Sequence, residues 1–149
     1  MLSSPYNSYT ITMSFFGKLT TRERYGLRLA LNLAETFYTK EPISLAKISK
    51  QEEISMKYLE QLIVPFKKAD WIDSIRGREG GYIMKKDPAK TTLKDLIWMI
   101  DEEPKLVHCL DPASAKCKRS PNCRARHAWA KVQKAIEESM DSIKLDKLL

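Results

Sequence analysis

Apolar residues recur every three or four positions over most of the chain, the spacing that puts one buried face on a helix. Tyr25, Leu29, Leu33 and Phe37 form such a stripe between residues 20 and 38, widened by Leu27, Leu31 and Ala34. Thr20 or Thr21 offers a hydroxyl to cap its start, and Glu41-Pro42 follows its end. Ser44 opens a shorter second helix over 45–50, with Leu45 and Ile48 facing inward. After the polar turn Gln51-Glu52-Glu53, Ser55 caps a third helix running from Met56 to about Ala69. Leu59, Leu62, Ile63 and Phe66 share its apolar face, and Pro65 predicts a kink or a locally broken hydrogen bond. Two short helices joined by a tight polar turn describe a helix-turn-helix.

The period then shortens to two. Trp71, Asp73 and Ile75 point one way and Ile72 and Ser74 the other, as in a strand. The glycine-rich turn Arg76-Gly77-Arg78-Glu79-Gly80-Gly81 returns the chain into Tyr82-Ile83-Met84. A basic hairpin directly after a helix-turn-helix reads as a wing. Thr92 and Asp95 make a capping box for a fourth helix lined by Leu93, Leu96, Ile97 and Ile100. A loop over 109–123, with Pro112 and Pro121, precedes a final helix from about Ala125 to Ser142. Its seam of Trp129, Val132, Ile136 and Met140 suits either a partner helix in a two-chain dimer or folding back on its own domain. The expected architecture is mainly α: a winged helix-turn-helix domain with a small two-stranded β wing and a long C-terminal dimerisation helix. A loose tail at 1–14 precedes the DNA-binding domain at 15–90. The linker helix, cysteine loop and dimerisation helix occupy 91–149.

Composition narrows the setting. With 43% hydrophobic and 30% charged residues the chain can build a core and stay in solution. No apolar run approaches the roughly 18–20 residues of a membrane span, and the polar start lacks the pattern of a signal peptide. A cytoplasmic protein with no membrane partner is expected. A net charge of +7 favours a polyanionic partner. Arg22, Arg24 and Arg28 crowd the first half of helix one, the wrong sign for a helix N-terminus, so either an external anion or a solvated basic face is implied. On the third helix Lys57, Tyr58, Glu60 and Gln61 lie near the N-terminus, where recognition helices meet base edges. Gln61 can pair with adenine, Glu60 can accept from cytosine, and Lys57 can meet guanine or phosphate. With Arg24, the cap hydroxyls Ser44 and Ser55, and the wing residues Arg76, Gly77 and Arg78, these form the candidate DNA surface. No serine–histidine–acid order, phosphate loop or His-Glu-x-x-His helix is present, so an enzyme is not expected. Glu52-Glu53 and Glu102-Glu103 read as solvated charges.

The three cysteines stand as Cys109-x7-Cys117-x5-Cys123. An odd, clustered set in an intracellular setting points to thiolate chemistry rather than disulfides. Soft sulfur donors suit zinc and iron–sulfur clusters, and these gaps are wider than the paired knuckles of zinc sites. Three cysteines leave one ligand position open, and both histidines, His108 and His127, flank the loop. His127 is the candidate, because adjacent residues such as His108 and Cys109 rarely face one centre. Lys116, Lys118, Arg119, Arg124 and Arg126 would offset the charge of a thiolate-bound cluster or, without metal, make the thiols reactive.

Leu19-Thr20-x3-Arg24-Tyr25, the run from Ile54 to Leu62, Arg76-Gly77-x2-Gly80-Gly81-Tyr82 and the closing Asp141-Ser142-Ile143-x-Leu145-x2-Leu148-Leu149 together resemble the bacterial Rrf2 family of winged-helix transcription regulators, over Met13 to Leu149. The resemblance implies a homodimer on a pseudo-palindromic double-stranded DNA operator. Lys57, Glu60 and Gln61 would read bases, and Arg76 would enter the minor groove. The full cysteine set resembles the iron–sulfur-binding branch, implying a repressor controlled by a cluster, [2Fe–2S] preferred over [4Fe–4S], that senses iron–sulfur, redox or nitric oxide status. The alternative is a cluster-free thiol-based redox or cysteine-metabolism regulator. The chain departs from that branch at three points. Its first cysteine gap is longer; the branch's ligand histidine falls at Arg126, with His127 one residue on; and the acid that serves some members falls at Arg24, beside Glu23. The family's Pro-Gly wing tip is Arg78-Glu79 here.

Overall fold

Thr20 starts the first helix by a reciprocal pair of hydrogen bonds. Its hydroxyl accepts from Glu23 N at 3.1 Å, and the Glu23 carboxylate accepts from Thr20 N at 2.6 Å. This computed structural model describes residues 19–101, 105–112 and 117–149. The tail expected at 1–14 lies outside them, as do Glu102-Glu103 and residues 113–116 of the cysteine loop. Helix α1 spans Thr21–Thr39 and ends where Lys40 turns left-handed. Helix α2 spans Leu45–Glu52 and α3 spans Met56–Lys68, capped by the hydroxyls of Ser44 and Ser55. The turn between them is shorter than expected. Gln51 and Glu52 stay helical, and Glu53 alone makes the left-handed exit. Helix α3 continues through Pro65 to Lys68.

Strands β1 (Ile72–Ile75) and β2 (Gly81–Met84) pair antiparallel, from Ile72 opposite Met84 to Ile75 opposite Gly81. The expected two-sided alternation of β1 is not observed. Trp71, Ile72 and Met84 are buried at the base, Trp71 edge-on to Phe66 at 6.0 Å, whereas Asp73, Ser74 and Ile75 are exposed. A two-stranded ribbon has no second layer to cover its tip, so the alternation has nothing to bury against. Thr36, buried on α1, fixes the base from below. Its hydroxyl donates to Leu33 O at 2.5 Å and accepts from Met84 N at 2.8 Å.

The core gathers Leu29 and Leu33 of α1, Ile48 of α2, and Leu59, Ile63 and Phe66 of α3. Leu96 and Ile100 of α4 (Leu93–Asp101) close it. The box at the start of α4 forms as the sequence predicts, with Asp95 N donating to Thr92 Oγ1 at 3.0 Å and Thr92 N to Asp95 Oδ2 at 2.9 Å. Two single 3-10 turns, His108–Leu110 and Ser120–Asn122, lie in the cysteine segment before α5 (Arg124–Ser142). Beyond α5 the chain returns to the start of α4. Leu93 N donates to Ile143 O at 2.8 Å, Leu145 N donates to Thr91 O at 3.0 Å, and the Leu145 side chain is fully buried. Met140 is buried near this junction, but Trp129 and Val132 remain 46% and 39% exposed. Folding back therefore accounts for only the last part of the α5 seam.

Candidate nucleic-acid interface and cysteine cleft

The wing and the helix-turn-helix are joined through their backbones. Ile43 N donates to Tyr82 O at 3.0 Å and Tyr82 N to Ile43 O at 2.8 Å, so the residue before the Ser44 cap pairs with β2. Gly81 lies flat against this junction. A Cβ there would overlap the Ile43 carbonyl and stand 2.8 Å from Ser44 N. Lys57, Glu60 and Gln61 are exposed on α3, and Tyr58 is half-buried, edge-on to Tyr25 at 5.8 Å. The hydroxyl oxygens of half-buried Ser44 and exposed Ser55 accept from Lys47 N at 3.2 Å and Tyr58 N at 3.3 Å. Arg76 and Arg78 flank Gly77, whose φ of 123° only glycine adopts readily, at the exposed wing tip.

Two of the three arginines of α1 are ion-paired within the chain. Arg22, itself exposed, pairs with Asp101 at 3.2 Å, and exposed Arg24 faces the Tyr25 ring at 5.8 Å and donates to Thr21 Oγ1 at 3.4 Å, with no carboxylate partner among the described residues. Burial pushes the Asp101 carboxyl up against the opposing pull of Arg22, and neighbouring Glu23 adds to the rise. Arg28 Nε meets Glu52 Oε2 at 2.7 Å, and its Nη2 donates to the Glu52 carbonyl. Asn32 Nδ2 donates to Glu52 Oε1 at 2.7 Å. Glu52 is thus not the solvated charge expected from its place in a polar run. It clamps the end of α2 to α1 and so sets where the turn delivers α3. Contacts between residues 20 and 24 apart leave no periodic trace in a sequence, so only the shape of the fold exposes them.

The Asn32 hydrogen bond, with Arg28 adding to it, outweighs burial and holds the Glu52 carboxyl below its ordinary 4.5. A lowered folded-state value contributes stability above the unfolded value and loses it as pH falls through the folded one. Glu52→Gln is therefore expected to cost about 1 kcal/mol near neutral pH. Urea unfolding at neutral pH and again well below pH 4 checks this, because the gap between the two proteins should close in acid.

All three cysteines are free thiols. Cys109, Cys117, His108 and His127 line one cleft together with Arg126. Cys123, the cap of α5, lines the adjoining one with Lys118 and Arg119. Arg126 Nε donates to Cys109 O at 3.0 Å and Leu106 N donates to Gln133 Oε1 at 3.1 Å, which fastens the first half of the segment to α5. The position one residue before His127 is thus occupied by a backbone clamp, and His127 itself faces the thiols' cleft. Glu23, the acid near the start of α1, is buried in its capping box. By type the donors fit an iron–sulfur cluster. Among the described residues no three His, Cys, Asp or Glu side chains converge as a metal-holding group.

A sequence profile described as an iron-dependent transcriptional regulator, that of Rrf2, matches residues 19–149. The chain belongs to the Rrf2 family. It is 33% identical over 132 residues to Protein rrf2 of Nitratidesulfovibrio vulgaris, covering 89% of this chain and 87% of that one. The structure of CymR, the global cysteine regulator of B. subtilis, aligns with a TM-score of 0.72 at 31% identity, over 88% of this chain and 95% of its own. T. potens IscR aligns with a TM-score of 0.70 at 32% identity, over 88% and 85%. These Rrf2 relatives are transcriptional regulators rather than enzymes, and the helices and hairpin above are their winged-helix fold. This Rrf2 chain is accordingly a DNA-binding transcription regulator. Among the described residues no helix is long and apolar enough to cross a membrane.

Proposed function

We propose that this Rrf2-family regulator is a cytoplasmic homodimeric repressor whose operator affinity is controlled by an iron–sulfur cluster, of the [2Fe–2S] type. Cys109, Cys117 and Cys123 would hold the cluster, with His127 as the fourth ligand. The observation that carries the reading is the shared cleft. Two thiols and His127 line it, with the third thiol next to it and basic side chains around them. When bound, the cluster would supply a group whose loss, oxidation or nitrosylation is the signal. The chain's own residues carry the rest. Arg126 and Gln133 tie the segment to α5, and α5 is pinned beside the reading domain at Ile143 and Leu145. The exposed Trp129 and Val132 support pairing of α5 with a second copy. Two copies would then present two reading heads, residues 15–90, to a pseudo-palindromic duplex. In each, α3 would read bases through Lys57, Tyr58, Glu60 and Gln61, and the wing would reach the minor groove through Arg76, Gly77 and Arg78. Ser44, Ser55 and Arg24 would meet phosphates.

Anaerobic purification with iron, sulfide and visible absorption measurements tests the cluster. Coloured protein with iron and sulfide is expected, and Cys117→Ser should lose most of both. A colourless, iron-free protein that binds its operator with full regulation would overturn it. The similarity to CymR favours a second reading, a cluster-free regulator working through the exposed Cys117 between its basic neighbours. Operator binding that ignores iron but responds to peroxide would select that reading.

A further inference from the structure

The outward face of α3 carries one residue that neither charge nor polarity explains. The buried side of the helix is Leu59, Leu62, Ile63 and Phe66. Opposite them a single stripe runs Lys57, Gln61, Val64 and Lys68, spaced four, three and four residues apart. All four are exposed, and Val64 is 40% exposed in its middle. An exposed valine in isolation means little. Here it lies in line with the base-reading side chains, one turn beyond Gln61, and Gln61, Lys68 and Arg22 share the rim of its shallow groove. Lys57, Gln61 and Lys68 make the stripe itself cationic and polar, which suits a duplex groove, while Pro65, Ala69, Met99 and Ile100 line the side of the groove toward α4.

We infer that Val64 is a specificity-determining residue that packs against the C5-methyl group of a thymine in the major groove of each half-site. The inference rests on the proposed reading that α3 enters the major groove. The chemistry is that of direct readout. The major-groove edge of an A·T pair carries one apolar group, the thymine methyl, and small apolar side chains are its natural contact. A β-branched residue in a helix is held in one rotamer, so Val64 presents its two methyls without ordering cost. Gln61, one turn nearer the N-terminus, can hydrogen-bond an adenine alongside, so the two would read neighbouring pairs.

The test uses the full chain and duplexes recovered by selection from a random library. Each thymine of the recovered consensus is replaced in turn by deoxyuridine, which removes only the methyl group. For the unaltered protein, one thymine per half-site should lose about fourfold in affinity on this change, as burial of a single methyl predicts. Val64→Ala should bind the thymine duplex about fourfold more weakly per half-site and be indifferent to uracil there, while still favouring the same bases at the Lys57 and Gln61 positions. Thermal unfolding confirms that the variant folds, which is expected of an exposed site. If no thymine is sensitive, or if the variant loses affinity equally with both bases, Val64 is not the reader, though the DNA-binding face stands. Recovery of no consensus at all would instead remove the underlying placement of α3, and this inference with it.

Discussion

Gly81→Ala is expected to lower the stability of the protein by about 3 kcal/mol, and its Tm by about 10 °C. The added Cβ would overlap the Ile43 carbonyl and crowd Ser44 N at 2.8 Å. Both are backbone atoms, so no side chain can rotate out of the way. Relief requires β2 to move off the residue that precedes α2, and that breaks the Ile43–Tyr82 pair of hydrogen bonds. Gly77→Ala is the control. A Cβ there meets nothing within 4 Å, so only the cost of its positive φ remains, about 1 kcal/mol. Urea unfolding of the two variants beside the parent is the measurement. Equal losses at the two glycines would show that the junction carries no special constraint.

The second large effect is expected at the DNA surface. Lys57→Ala with Arg76→Ala should weaken operator binding by about a hundredfold, with each single change contributing about tenfold. Lys57 stands in the first turn of α3 and Arg76 at the wing tip, both exposed and on separate elements, so their effects should add. Both are cations, so the dependence of log affinity on log salt should also flatten, by about one for each phosphate left unneutralised. Fluorescence anisotropy across a salt series reads both quantities. A double variant within twofold of the parent, with the same salt slope, would mean that DNA is bound on another face.

Much of this architecture is legible along the chain because it is written locally. The four-residue stripe of α1, the Ser55 cap of α3 and the reciprocal Thr92–Asp95 box each depend on residues a turn apart, and each stands as expected. The Rrf2 motifs are similarly compact. What escapes is the long-range joinery. Nothing near Glu52 announces Arg28 and Asn32, and nothing near Ile43 announces Tyr82. The strand alternation fails for a related reason, since Ile75 follows the pattern of a covered strand in a ribbon with no cover. Val64 lies outside the apolar face of α3 that the spacing marks, and its 40% exposure is set by the fold. The cysteine cleft is legible in its donors and not in their arrangement. Spacing along a loop says which thiols are near one another, and Cys123 is near without facing the same cleft.

The return of the chain after α5 has a mechanical consequence. Helix α4 packs into the core through Leu96 and Ile100, and the chain comes back to Thr91, Thr92 and Leu93 through Ile143, Lys144 and Leu145. The described residues from α4 to α5 thus begin and end beside the same few residues, and Cys123 stands at the opposite end of α5. A change at the cysteine end would therefore be felt where α5 returns to the start of α4. In the proposed dimer, paired along α5, such a change would alter the gauge between the two heads while each head keeps its own shape. Chemistry at the thiols would then decide whether a given sequence is bound, and leave unaltered which sequence is read.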